Sequence, residues 1–251
     1  MSPGGRFDIE RSDPHNTLRS RGQLCDVMFG SLGTEEIKQA VVYLIALVLS
    51  IAVHEFGHAF VADRLGDRTP RYQGRVTLNP LAHADPIGTF LFPIIGLLFG
   101  GGVLFGWGKP VQINPVSFSR RFRMKIGHLI VASAGPAMNV LLALLVTGLL
   151  AVLLATRVLS PSHPIAGGLV QVISLNWVLA FFNLIPCPPL DGGAVLAGIL
   201  PDRHHQVVDF LNQYGFMILI GLLVTGAVRY LLFPATWVTR VTIDAMLRLV
   251  L

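Results

Sequence analysis

From residue 37 onward, long apolar runs separated by short polar connections organise this chain. The first run, residues 41–61, is interrupted only by His54, Glu55 and His58. Extended back to Lys38, it makes about 36 Å of helix, enough to cross a hydrocarbon core of about 30 Å. Asp63, Arg64, Asp67, Arg68, Arg71 and Arg75 then form a polar connection, in which residues 75–78 predict a short strand stopped at Asn79-Pro80. Residues 126–156 and 168–185 are the next spans. Small residues at Ala132, Ala134, Gly135 and Ala137 let the first of these approach other helices closely. The second ends at Pro186, Pro188 and Pro189. A short apolar stretch follows at 193–200, and residues 216–233 predict a last span.

Residues 86–107 are apolar but rich in Gly and Pro, which makes a poor single helix. Four arginines precede the segment. Lys109, Arg120, Arg121, Arg123 and Lys125 follow it, with no acidic residue between Trp107 and Gly127. The positive-inside bias puts both flanks in the cytoplasm, so the segment is expected to re-enter rather than span. Its backbone then needs cover from protein or a wet cavity. The same reasoning places the amino terminus and residues 157–167 outside. Residues 1–36, with mixed charge and no apolar signal-peptide core, predict a poorly ordered tail. Residues 37–233 form one integral membrane domain. Residues 234–251, where Trp237, Val241, Met246 and Leu247 alternate with Arg240, Asp244 and Arg248, predict an amphipathic helix at the membrane surface. The expected class is an all-α multi-pass membrane protein: three transmembrane helices at its core, a re-entrant or short β element, and additional helices.

Composition supports this class. Hydrophobic residues make up 53% and charged residues 13% of the 251 positions, against about 25% charged in an average soluble domain. That excludes a soluble globular enzyme and a disordered chain. In such a protein the net charge of +5 marks cytoplasmic loops rather than nucleic-acid binding. Two cysteines exclude a disulfide scaffold.

The sharpest chemical signal is His54-Glu55-Phe56-Gly57-His58. On a helix, positions i and i+4 share a face, so both imidazoles reach one metal ion, while Glu55 lies about 100° around. This spacing suits a metal-activated water with a general base beside it. Burying these groups in a membrane helix is costly unless they pair or ligate. Catalytic zinc commonly takes three protein ligands, and the local residues offer Asp191, a lone carboxylate just after a proline-broken span. Read locally, Asp191 is either the third ligand or the N-cap of the following short helix. Cys187 is either a buried apolar-like thiol or a further ligand. His83 and Asp85 are either structural or touch the site from its flank.

These motifs resemble the site-2 protease family of intramembrane zinc metalloproteases, in its short bacterial form without a PDZ or C-terminal regulatory domain. The resemblance rests on His54-Glu55-Phe56-Gly57-His58 and on the downstream stretch from Asn183 through Pro186 and Pro188-Pro189-Leu190-Asp191-Gly192. Gly74 to His83, Asp85 to Thr89, Gly106 to Val111 and Gly135-Pro136-Ala137-Met138-Asn139 extend it. It implies one Zn²⁺ held by His54, His58 and Asp191, with Glu55 as general base. It also implies that Asn139 and Asn183 line the site, holding substrate backbone or the oxyanion; the alternative for both is helix–helix hydrogen bonding. The implied activity is hydrolysis of peptide bonds in membrane-embedded protein substrates, among them membrane-tethered regulators. The implied setting is the cytoplasmic membrane, with the site toward the cytoplasm and an accessory adaptor protein selecting substrates. The competing reading is a transporter or metal-ion channel with an ion site of buried histidines; such proteins often carry paired repeats, and none is visible here.

Overall fold

The structure, a computed structural model, describes residues 33–98, 106–120 and 123–250. Six helices carry it: α1 (Thr34–Arg64), α2 (Met124–Ala155), α3 (Pro164–Asn183), α4 (Asp191–Ile199), α5 (His205–Val224) and α6 (Phe233–Val250). Four stretches among the described residues are long and apolar enough to cross a membrane: Ile37–Arg64, Met124–Ala155, Pro164–Asn183 and Asp202–Val224. The protein is an all-α multi-pass membrane protein.

Helices α1, α2 and α3 pack against one another. Pairings such as His58 with Val131 and Ser50 with Asn139 run in opposite senses along α1 and α2, so these two are antiparallel. Gly57 permits their approach: a Cβ there would lie 2.7 Å from Met138 Cγ and 2.8 Å from the Ala134 carbonyl oxygen. Close backbone contact through small residues is the usual means of helix association in lipid. Ala143, Leu150 and Leu154 of α2 pack with Ala166, Ile173 and Trp177 of α3. Ala46, Leu47 and Ile51 of α1 pack with Leu175. Leu144, Leu145, Leu149 and Val152 point outward and are exposed, as expected of a lipid-facing surface.

The structure revises several local expectations. Residues 75–78 form no strand; the only β pairing among the described residues is an isolated antiparallel bridge between Ala84 and Gly108. The stretch is squeezed between two single-turn helices, Thr69–Tyr72 and Pro80–His83, which leave no length for a ladder. Gly74, at φ +67°, turns the chain into it. Residues 86–98 are helical, starting with a π-helical stretch at Pro86–Leu91. Asp85 caps it by accepting from the Ile87 and Gly88 amides. Trp107 N–H donates to the Gly88 carbonyl and Thr89 Oγ1 donates to the Trp107 carbonyl. The two ends of the segment are therefore bonded together, and the chain returns where it left. Residues 99–105 lie outside the described residues, as do residues 1–32 of the tail expected for 1–36; the end of that stretch, from Thr34, already belongs to α1.

The fourth span begins well before residue 216, because α5 starts at His205 within the apolar stretch Asp202–Val224, and it stops at Val224. Gly226, at φ +70°, breaks the apolar run that a hydropathy reading joins through to 233. Helix α6 packs against the bundle along one side. Its Met246 enters the cluster built by Leu150, Leu154, Ile173 and Trp177, and Ala235 and Thr239 are buried along the same helix.

Candidate metal centre

His54 and His58 lie one turn apart on α1, and each is 7% exposed. The Nδ1 of His54 is 2.6 Å from Asn139 Oδ1, and the Nδ1 of His58 is 2.7 Å from the Val131 carbonyl oxygen. Both partners are acceptors, so each Nδ1 carries the proton and donates it. Each Nε2 is then a bare lone pair. Outer partners of this kind set the tautomer of metal-ligating histidines.

The two Nε2 atoms are 3.1 Å apart. Asp191 Oδ2 lies 3.1 Å from His54 Nε2 and 3.3 Å from His58 Nε2. It is buried and has no hydrogen-bond partner. Two Nε2 atoms and a buried carboxylate oxygen with no hydrogen-bond partner thus face one another, a donor set that a cation between them would satisfy. Tetrahedral ligands about 2.0–2.1 Å from zinc stand about 3.3 Å apart, close to the separations observed. The three residues therefore fit Zn²⁺.

Distant parts of the chain supply this geometry. Gly135 of α2 backs directly onto the imidazoles: a Cβ there would overlap His58 Nε2 and lie 2.7 Å from His54 Cε1. Asp191 sits in the first turn of α4, with Leu190 at the cap position and no side-chain cap bond there. The N-cap alternative is thereby disfavoured. The loop before it is pinned to α5, where the Cys187 thiol donates to the Gly215 carbonyl at 3.0 Å. Burial pushes that thiol up, so Cys187 is an anchoring thiol, outside the group that could hold a metal. Gly192 lies against the Leu184 and Ile185 carbonyls and Gly193 against Pro188, approaches no larger residue permits.

Asn139 turns its amide to protein partners. It is fully buried, its Oδ1 is taken by His54, and its Nδ2 donates to Asn176 Oδ1 at 2.8 Å and the Ser50 carbonyl at 3.3 Å. Asn176 in turn donates to Ser50 Oγ at 2.8 Å. This relay joins α1, α2 and α3 behind His54. Asn176 and Ser50 escaped the sequence reading, although an amide in an apolar span must bond to something and so signals a partner. Asn183 turns its amide back along its own helix to the Leu179 carbonyl at 3.0 Å. His83 is fully buried and bonded through Nε2 to the Thr77 carbonyl at 2.9 Å, and Asp85 is a cap. Glu55, half-buried on the flank of the histidine face, accepts from the Val111 amide at 3.1 Å.

The Asn139→Ala protein is expected to bind zinc about 10–100-fold more weakly, because the His54 ring loses the acceptor that fixes it. Competition against a chelator of known affinity measures this, and unchanged affinity would remove the relay from the site.

Comparison with known proteins agrees with the geometry. The profile of Peptidase family M50 matches residues 42–162 and 162–223. YwhC of Bacillus subtilis (strain 168), which carries a zinc metalloprotease name, is 36% identical over 197 residues, covering 76% of this chain and 84% of that protein. Rip2 of Mycolicibacterium smegmatis, also named as a zinc metalloprotease, is 31% identical over 192 residues, covering 76% of this chain and 69% of that protein. No solved structure matches the chain. A membrane-spanning bundle whose histidine pair and distant carboxylate converge, in a chain matched over most of its length, belongs to Peptidase family M50: it is a zinc metalloendopeptidase.

Proposed function

We propose that this protein cleaves peptide bonds of membrane-embedded protein substrates at a zinc held by His54, His58 and Asp191, with Glu55 as general base. The observation that carries this reading is the approach of Asp191 Oδ2 to both Nε2 atoms, at 3.1 and 3.3 Å, across more than 130 residues of chain. When bound there, zinc supplies a water acidified toward neutral pH and a Lewis acid for the scissile carbonyl. The remaining steps belong to the chain. Glu55 is beside the ligand face of α1, where its carboxylate takes the proton of the attacking water and delivers it to the leaving amine. The Val111 amide restrains that carboxylate on one oxygen. Asn139 is committed to orienting His54, so the oxyanion needs other donors.

The substrate class follows from depth. His54 and His58 lie on a helix long and apolar enough to cross the bilayer, and Asp191 opens the short helix α4 that follows another such span, so the scissile bond has to be presented at membrane depth. Membrane-tethered regulators fit this requirement, with an adaptor protein to select among them. The arginines and lysines that flank α1 and α2 at the ligand end of the bundle support a cytoplasmic-membrane location with the site toward the cytoplasm.

Two measurements on purified protein test the reading. The chain should carry one zinc, and chelation should stop cleavage of a reconstituted single-span substrate until zinc is returned. Asp191→Ala should weaken zinc binding by more than the roughly 10–100-fold that an outer partner costs. Full zinc content in Asp191→Ala would demote the carboxylate to a structural role.

A further inference from the structure

Between the re-entrant segment and the start of α2, the chain from Gly106 to Asn114 runs as a strap along the flank of α1. A Cβ on Gly106 would meet Leu47, and one on Gly108 would meet Ile51 and lie 3.5 Å from Glu55 Cγ. Leu47, Ile51 and Glu55 are four residues apart and share one stripe of α1. The strap's backbone approaches so closely because its contacts with that stripe are made at glycines. Where it reaches Glu55, the Val111 amide donates to the carboxylate.

The strap is fastened from its other side. Lys109 N–H donates to the His83 carbonyl at 2.8 Å, beside the Ala84–Gly108 bridge. Arg75 ties together the two segments that meet at that bridge: its guanidinium donates to the Ala82 carbonyl on one and to the Lys109 carbonyl, at 3.4 Å, on the other. Arg75 is 6% exposed, and no carboxylate pairs with it among the described residues. A buried cation balanced only by carbonyl oxygens is costly to keep. A chain needing only a turn at this point could use a smaller neutral residue. Lys109, whose carbonyl Arg75 holds, is two residues from the amide that holds Glu55.

We propose that Arg75 is a positioning residue for the base: it fixes the 106–111 strap, and the strap fixes the Glu55 carboxylate through the Val111 amide. This rests on Glu55 being the general base. Misplacing a reacting group by about 1 Å can cost on the order of a hundredfold in rate, so a loosened strap should lower turnover while leaving the metal and the substrate-binding surface as they are.

The test compares Arg75→Met, Arg75→Lys, Val111→Pro and the double variant Arg75→Met/Val111→Pro in the full-length protein, reconstituted with a single-span substrate. Arg75→Met should lower kcat about 10–100-fold, with KM within about twofold and zinc at one per chain; Arg75→Lys should recover part of the loss. Val111→Pro removes the donating N–H directly and should give a similar loss. The double variant should be no slower than Val111→Pro alone, because both changes cut one line of support. Hydrogen–deuterium exchange should rise in the 106–111 peptide of Arg75→Met while α1 stays protected. Unchanged kcat, lost zinc, or independent and multiplying losses in the double variant would each overturn the proposal. If Arg75→Met does not fold, Arg75→Lys and Val111→Pro carry the same comparison. Failure of the base reading is separately visible, since it would show as full cleavage by Glu55→Gln whatever the exchange data report.

Discussion

Glu55→Gln is expected to lower peptide-bond hydrolysis by about a hundred- to ten-thousand-fold, the usual contribution of a positioned general base, while zinc stays at one per chain. The amide keeps the volume of the carboxylate and an oxygen for the Val111 N–H, so neither packing nor the strap is disturbed. It cannot take a proton near neutral pH. Because Glu55 lies to one side of the imidazole face and is not among the three grouped ligand atoms, the metal should be retained. Turnover of a reconstituted membrane substrate and metal analysis of the same sample measure the two halves. Residual cleavage near the wild-type rate would remove Glu55 from the chemistry, and loss of zinc would make it a ligand instead.

The second large effect is expected from a single methyl group. Gly135→Ala should empty the metal centre, and cleavage should fall with it. The new Cβ would occupy the space of His58 Nε2 and approach the Cε1 atoms of both rings to 2.6 and 2.7 Å. These rings cannot simply swing aside, because each is held through Nδ1, by Asn139 Oδ1 and by the Val131 carbonyl. Nor can α2 retreat without opening its contact with Gly57, where the two backbones already touch. Gly148→Ala, on the same helix with open space around its Cα, is the control and should keep both zinc and activity. If Gly135→Ala binds zinc normally, the imidazoles have more freedom than the packing of α1 on α2 allows.

Chelation and zinc return, Asp191→Ala and Asn139→Ala complete the set, and each separates a ligand from its support. Together they distinguish three layers at this centre: groups facing the metal, groups aiming those ligands, and backbone contacts that leave room for them.

The linear chain by itself determined the spans, because covering a hydrocarbon core takes a run of apolar residues that composition displays directly. It also marked the histidine pair with Glu55 beside it, because i, i+4 spacing is local helix geometry and survives in any fold containing the helix. Where outcomes depended on turn chemistry it misled. Hydropathy carries no mark for the break at Gly226, and the stretch at 75–78 has strand-like residues but no neighbouring edge to pair with. Only the tertiary structure decided Asp191, since carboxylate ligand and helix cap look alike until α3 and the loop pinned at Cys187 and Gly215 deliver it to α1. It also turned Asn139 from a candidate oxyanion donor into the partner of His54, because an amide's role depends on which group its oxygen meets. Long-range convergence of this kind leaves no periodicity in the chain; it arises from helix packing, in which glycines at 57 and 135 set how near the backbones come.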